Sequence, residues 1–135
     1  MKDNIIRFKS FGQSFTLIPR IELYTVKDYM GKSKPALAVV LDDACTLEQF
    51  SVLTVSFGEF IGIKNASYID DNNNPPELLD AFLKSGCAMK TRFIKHSGFH
   101  EYPLWIFDEE WLPAKKNGFP VKYTYVKISI DFKVW

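Results

Sequence analysis

The chain has little of what metal-dependent, redox or nucleophilic enzymes are built from. Its 135 residues include two cysteines and two histidines. Cys45 and Cys87 lie far apart and match no zinc or redox spacing. A cysteine nucleophile needs an activating base or a helix N-terminus beside it. Cys45 sits in an acidic stretch and Cys87 follows the C-terminal end of a predicted helix, so both are read as packing or surface residues. Long hydrophobic runs are missing. The longest uncharged one, Pro35 to Leu41, falls far short of the roughly 20 residues that span a bilayer. The N-terminus shows no signal-peptide pattern. A large charge excess is missing too: the net charge is +1, which argues against a wholesale nucleic-acid coat. These absences lead to the expectation of a cytoplasmic, reduced protein with no cofactor, no metal and no membrane contact. Asn65-Ala66-Ser67 fits the glycosylation pattern, but without secretion it is read as ordinary chain.

Hydrophobic residues are plentiful, at 47%, and aromatics reach 16%. That is ample for a core and too much for a disordered chain. No internal repeat or long linker appears, so residues 1–135 are read as one domain. Asn4–Phe8, Ser14–Ile18 and Ile21–Val26 read as strands. Ala36–Leu41 is apolar throughout, as in a strand buried on both faces, and Phe50–Phe57 reads as its antiparallel partner with Leu53, Val55 and Phe57 on one face. The stretch Ile61–Asp70 is expected to continue extended.

Pro75–Ser85 carries a helix signature. Asn74 is the predicted N-cap, with Glu77 completing a capping box. Pro75 suits the first helical position. Leu78, Leu79, Phe82 and Leu83 form one stripe, and Gly86 suits a left-handed close. Two strands around a turn at Ser97-Gly98 follow, then a helical turn capped by Asp108. From Val126, apolar Ile128, Ile130, Phe132 and Val134 alternate with Lys127, Ser129, Asp131 and Lys133. The polar face also carries Tyr123, Tyr125 and Trp135, a pattern shared by a lysine-protected edge strand and by a contact surface. The expected fold is α+β: an antiparallel sheet of about five or six strands with one main helix packed on one face.

Candidate chemistry is thin. Gly31-Lys32-Ser33 ends like a phosphate-binding loop, but Val26 stands where the first glycine should be and Pro35 follows almost at once. His96 and His100 are candidates for an acid–base pair or metal ligands. A two-residue loop at Ser97-Gly98 would put them on opposite faces, whereas a three-residue loop would pair them. No His/Cys cluster completes a metal site. Asp108, Glu109 and Glu110 read more simply as an acidic helix cap than as catalytic carboxylates.

Charge is segregated along the chain. Asp42, Asp43, Glu48, Glu59, Asp70, Asp71, Glu77 and Asp80 share their stretch with Lys64 alone, whereas Lys84, Lys90, Arg92 and Lys95 meet no acid before Glu101. Asp42, Asp43, Glu48, Asp70 and Asp71 are therefore the candidate protein-binding residues, suited to a positively charged cleft on a partner. The alternative is nucleic-acid binding through Lys90, Arg92 and Lys95, or through Tyr123, Tyr125 and Lys127.

Several short stretches carry a resemblance: Asn74-Pro75 opening a helix, Thr91-Arg92, Ser97-Gly98-Phe99, Tyr102-Pro103-Leu104 and Phe107-Asp108. Over residues 36–112 the chain resembles a domain-of-unknown-function family of small bacterial proteins carried by phages and conjugative elements. The double proline and the Lys95-His96 insertion depart from that pattern. The resemblance implies no activity and no catalytic residue. It implies a mobile-element protein that binds host machinery, of the anti-CRISPR or anti-restriction type. The expected partner is then a host protein such as a nuclease or effector complex.

Overall fold

The computed structural model of the protein describes residues 5–108. The expected helical turn after Asp108 and the strand from Val126, with Tyr123, Tyr125, Lys127 and Trp135, lie outside the described residues.

Eight strands and one helix are formed among the described residues: β1 (Ile6–Ser10), β2 (Gln13–Lys27), β3 (Ser33–Asp43), β4 (Gln49–Val52), β5 (Thr54–Val55), β6 (Ala66–Ile69), α1 (Pro76–Lys84), β7 (Ala88–Ser97) and β8 (His100–Phe107). The class is α+β, with one helix packed on antiparallel sheet. The strands divide between two four-stranded sheets, β1-β2-β3-β4 and β5-β6-β8-β7, where the sequence predicts a single sheet.

The division comes from a bend at Leu53. The segment expected as one strand pairs with β3 up to Val52, through Val40–Val52 and Leu41–Ser51, and with β6 from Thr54, through Thr54–Ile69. Between them the Leu53 N–H donates to Val39 O at 2.9 Å, and Leu53 O accepts from Asp70 N at 2.8 Å. The Leu53 side chain is fully buried. A strand that turns a corner in this way hands its pairing from one sheet to the next. Two side-chain bonds sew the same seam: Val39 N donates to Thr54 Oγ1 (3.1 Å) and Ser67 Oγ donates to Leu37 O (3.1 Å).

One apolar cluster joins both sheets and the helix, including Ile6, Leu17, Ile21, Val39, Leu41, Leu53, Ile69, Trp105 and Phe107. Leu78 and Phe82 of α1 are buried in it, and Leu79 and Leu83 pack at its margin, as the helical stripe predicts. The Phe82 ring lies 6.3 Å from Trp105 and 6.0 Å from Phe107. Gly86, at φ +80°, closes the helix as expected. The stretch from Ser56 to Asn65 forms no strand, so the extended reading holds only for Ala66–Ile69. Lys32 lies in the β2–β3 turn and Ser33 begins β3, so this Gly-Lys-Ser opens no helix.

The predicted capping box does not form. Pro75 is the N-cap residue and makes no side-chain cap bond, while Glu77 accepts from Ser10 Oγ at 3.2 Å. Asn74 is buried and committed elsewhere. Its Nδ2 donates to Val52 O (3.0 Å) and Asp70 O (2.8 Å), and its Oδ1 accepts from Ser51 Oγ (2.8 Å). Carbonyls exposed by the bend offer a buried amide more partners than the helix start does. Asn74→Ala should therefore lower stability by roughly 2–4 kcal/mol, because two carbonyls lose their donor inside the protein. Asn74→Asp should lower it at least as much at neutral pH, since a carboxylate would face two carbonyls. Urea unfolding with an unchanged m-value reads this out; a loss near zero for Asn74→Ala would show that the corner stands without it.

Candidate functional site

The β1–β2 loop has two residues, Phe11 and Gly12, at φ +52° and +76°. That is the type I′ hairpin, whose first position strongly favours Asn, Asp or Gly. Here it carries a phenylalanine that is 97% exposed. The β3–β4 turn repeats the anomaly with Leu47, at φ +64° and 71% exposed. Left-handed geometry costs a non-glycine residue of this shape about 1–2 kcal/mol. Both turns stand at the same end of the first sheet, because Leu17 near the start of β2 pairs with Asp43 at the end of β3.

An open groove of about 600 Å3 occupies this end. One wall is aromatic: Phe8 and Phe15 stack at 5.0 Å, Phe50 meets Phe15 at 5.3 Å, and Phe11 completes it. The other wall is the loop from Asp71 to Pro76 that leads into α1. One acid, Asp71, lies in this wall, Glu77 bonds Ser10 of the lining, and Asp70 and Glu48 are close in sequence to lining residues. Lys9 and Arg7 are exposed on the opposite face of β1 from Phe8 and Ser10.

The five acids expected to bind protein are only partly available. Asp42 is held by Arg20 Nε at 2.6 Å, and the same guanidinium also pairs with Glu22. Those two acids raise the Arg20 pKa against the opposing effect of burial, which is the largest single influence on it. Asp43 builds the β3–β4 turn: Oδ1 accepts from Cys45 N (2.8 Å) and Thr46 N (3.0 Å). Those N–H groups, Thr46 first, hold its carboxyl below the ordinary value of 3.8. Asp70 accepts from Asn73, and Asp71 from His100. Glu48 is exposed. Of the five, only Asp71 lies in the groove lining, and Asp42 is paired with Arg20.

Each histidine has its own face. The β7–β8 loop consists of Gly98 and Phe99, not Ser97 and Gly98, with Ser97 opposite His100 and His96 opposite Glu101. Only Gly98 takes a positive φ, as the first central residue of a type II′ turn requires. His96 faces Glu101 at 3.5 Å on one side. His100 on the other bonds Asp71 at 2.5 Å and packs its ring on Tyr102 at 4.5 Å. No Ser, Thr or Cys of the described residues is bonded to the second ring nitrogen of His100, so the pair tethers the hairpin to the groove wall. Among the described residues no group of three His, Cys, Asp or Glu is placed to hold a metal ion. Cys45 is exposed in the acidic turn and Cys87 is buried in the core.

The cations also divide. Lys95 is bonded to Glu59 at 2.5 Å and lies 5.7 Å from the Phe57 ring centre. Lys90 and Arg92 are exposed on β7. The phenylalanine wall is the feature that sequence reading missed. Its signal was the spacing of Phe8, Phe11 and Phe15 around Gly12, which marks a two-residue hairpin with aromatics at and beside its tip.

Family models, curated proteins and solved structures yield no match to this chain. No helix among the described residues is long and apolar enough to cross a membrane.

Phe11→Asn should raise stability by about 0.5–1 kcal/mol, because asparagine accepts the left-handed position and the exposed ring stabilises nothing by burial. A lower urea midpoint in Phe11→Asn would show that the ring supports the fold. Asp43, whose pKa is depressed in the folded state, contributes stability that is present above its unfolded value. That contribution fades as pH falls from about 4 through the folded pKa. Asp43→Asn keeps a side-chain acceptor and removes the titration, so its unfolding midpoint should fall less than the parent's between pH 5 and pH 2.5.

Proposed function

We propose that this is a binding protein without catalytic activity, which docks a basic, apolar-anchored surface of a partner protein at its aromatic, acid-rimmed groove. The observation that carries this reading is the pair of bulky side chains, Phe11 and Leu47, held exposed in left-handed turns at the groove end. Folding gains little from a ring that is 97% exposed or from a leucine that is 71% exposed. Strained, exposed apolar residues beside an open groove are the anatomy of a contact patch. The Phe8–Phe15–Phe50 stack offers the aromatic anchor that binding centres favour.

Charge complementarity selects the partner's sign. Asp70, Asp71, Glu77 and Glu48 favour lysine and arginine around an apolar residue, and they speed encounter with a positive cleft. Nucleic-acid-handling proteins carry such clefts. Together with the resemblance to phage and conjugative-element proteins, this supports the narrower reading of a mobile-element modulator that occupies a host nuclease or defence complex. Inhibition would follow from occupying a cleft that otherwise holds phosphates.

The test uses two labelled twelve-residue peptides with a Trp-Leu centre, one flanked by lysine and arginine and one by glutamate. The cationic peptide should bind, with affinity falling as salt rises, and the acidic peptide should not. Phe50→Ser, and separately Phe11→Asn, should each weaken binding at least tenfold, as expected for a central anchor. Equal binding of both peptides, or binding indifferent to both substitutions, would sink this reading.

A further inference from the structure

The β7–β8 hairpin is a second surface, opposite in charge to the groove. Among the described residues β7 is an edge strand of its sheet. Its ladder with β8 runs through Lys90–Trp105 and resumes at Ile94–Pro103, so Thr91, Arg92 and Phe93 stand against Leu104 alone. Thr91 holds this bulge: its Oγ1 donates to Leu104 O at 2.8 Å and accepts from Phe93 N at 3.1 Å. With Thr91 turned to the ladder, Arg92 and Phe93 are displaced to the solvent side. Bulges on edge strands re-aim side chains in this way. Phe93 is 59% exposed, and Met89 and Ile94 beside it are exposed as well. Phe99 stands fully exposed at the tip. Among the described residues Lys90 and Arg92 form no ion pair, in contrast to Lys95.

We infer that this hairpin edge binds single-stranded nucleic acid, with Lys90 and Arg92 on phosphates and the rings of Phe93 and Phe99 stacked on bases. Two unpaired cations followed by an exposed ring on the strand, with a second ring at the tip, match an extended polyanion whose bases are unpaired. A duplex would leave the rings without a base face. A lipid-inserting hairpin would gather its apolar side chains at the tip, where only Phe99 stands. Lys95 is excluded from the contact, because Glu59 and the Phe57 ring already hold its ammonium. Glu101 faces His96 across the strand pair, which leaves the Lys90–Phe93 stretch clear of it.

The experiment is fluorescence anisotropy of a labelled twenty-nucleotide oligothymidine with the full chain. Binding should lie in the micromolar range at low salt. The log–log salt slope should be about −1.4, as two neutralised phosphates give on a single strand. Lys90→Ala combined with Arg92→Ala should weaken binding at least tenfold and flatten the slope. Phe93→Ala should weaken it about tenfold, and Phe93→Trp should restore it, in line with base stacking. Circular dichroism melts check that these variants remain folded, and Arg92→Lys should keep the salt slope. The inference is overturned by absence of binding at low salt or by duplex binding that Phe93→Ala leaves unchanged. It is equally overturned if the chain binds phosphatidylserine vesicles and not the oligonucleotide.

Discussion

The bend at Leu53 is the constraint from which the rest of the arrangement follows. A buried leucine whose N–H serves one sheet and whose carbonyl serves the loop after β6 forces a single stretch of chain to belong to both sheets. That assignment places Phe50 before the corner, in the groove, and Phe57 after it. There Phe57 packs on Tyr68 and Tyr102 and underlies Lys95. One eight-residue segment, Phe50 to Phe57, therefore feeds both the groove and the packing beneath Lys95. Their separation is set by a corner that Asn74, Thr54 and Ser67 hold with side-chain hydrogen bonds. A buried polar network of this kind is costly to leave half-satisfied, so it fixes one geometry rather than several.

Against that rigid centre, the hairpin tips break local rules. Turn residues are ordinarily chosen for backbone freedom and polarity. Phe11, Leu47 and Phe99 meet neither criterion in full, and Tyr29 and Met30 at the β2–β3 tip are also exposed. The β2–β3 loop shows the conventional solution beside them: Asp28 Oδ1 accepts from Met30 N and Lys32 N, and its carboxyl is held below the ordinary range by those bonds, Lys32 first. Asp43 does the same for the turn that carries Leu47, so side-chain bonds already hold both turns and turn stability alone does not explain the exposed apolar residues they carry. Sequence–structure conflict confined to surface tips is the pattern expected of functional contact.

Much of this was legible in the sequence. The stripe Leu78, Leu79, Phe82 and Leu83 identified α1 because a helix with one buried face leaves a period that no other element shares. The apolar run ending at Leu41 and the two strands around residue 98 were legible for similar reasons. The corner was not: Val52-Leu53-Thr54 contains neither glycine nor proline, and its bend is imposed by long-range pairing with β3 and β6. Asn74 was misread because a capping propensity is local, whereas its three bonds reach residues 22 and 23 positions away as well as its own loop. The histidine geometry turned on one backbone angle. Gly98 alone accepts it cheaply, and that moves the loop by one residue.

The near-zero net charge takes on a different meaning once pairing is known. Arg20 with Asp42, Lys95 with Glu59 and Lys84 with Asp80 cancel charge locally. Among what is left over, Asp71 lies in the groove wall and Lys90 and Arg92 lie on the bulged edge. Electrostatic attraction over a Debye length depends on such residues rather than on the total. A chain of net charge +1 can thus present two faces of opposite sign. His100 bonded to Asp71 joins the hairpin to the groove wall. Any partner that displaces the Asp71 loop must also disturb the tip end of that hairpin.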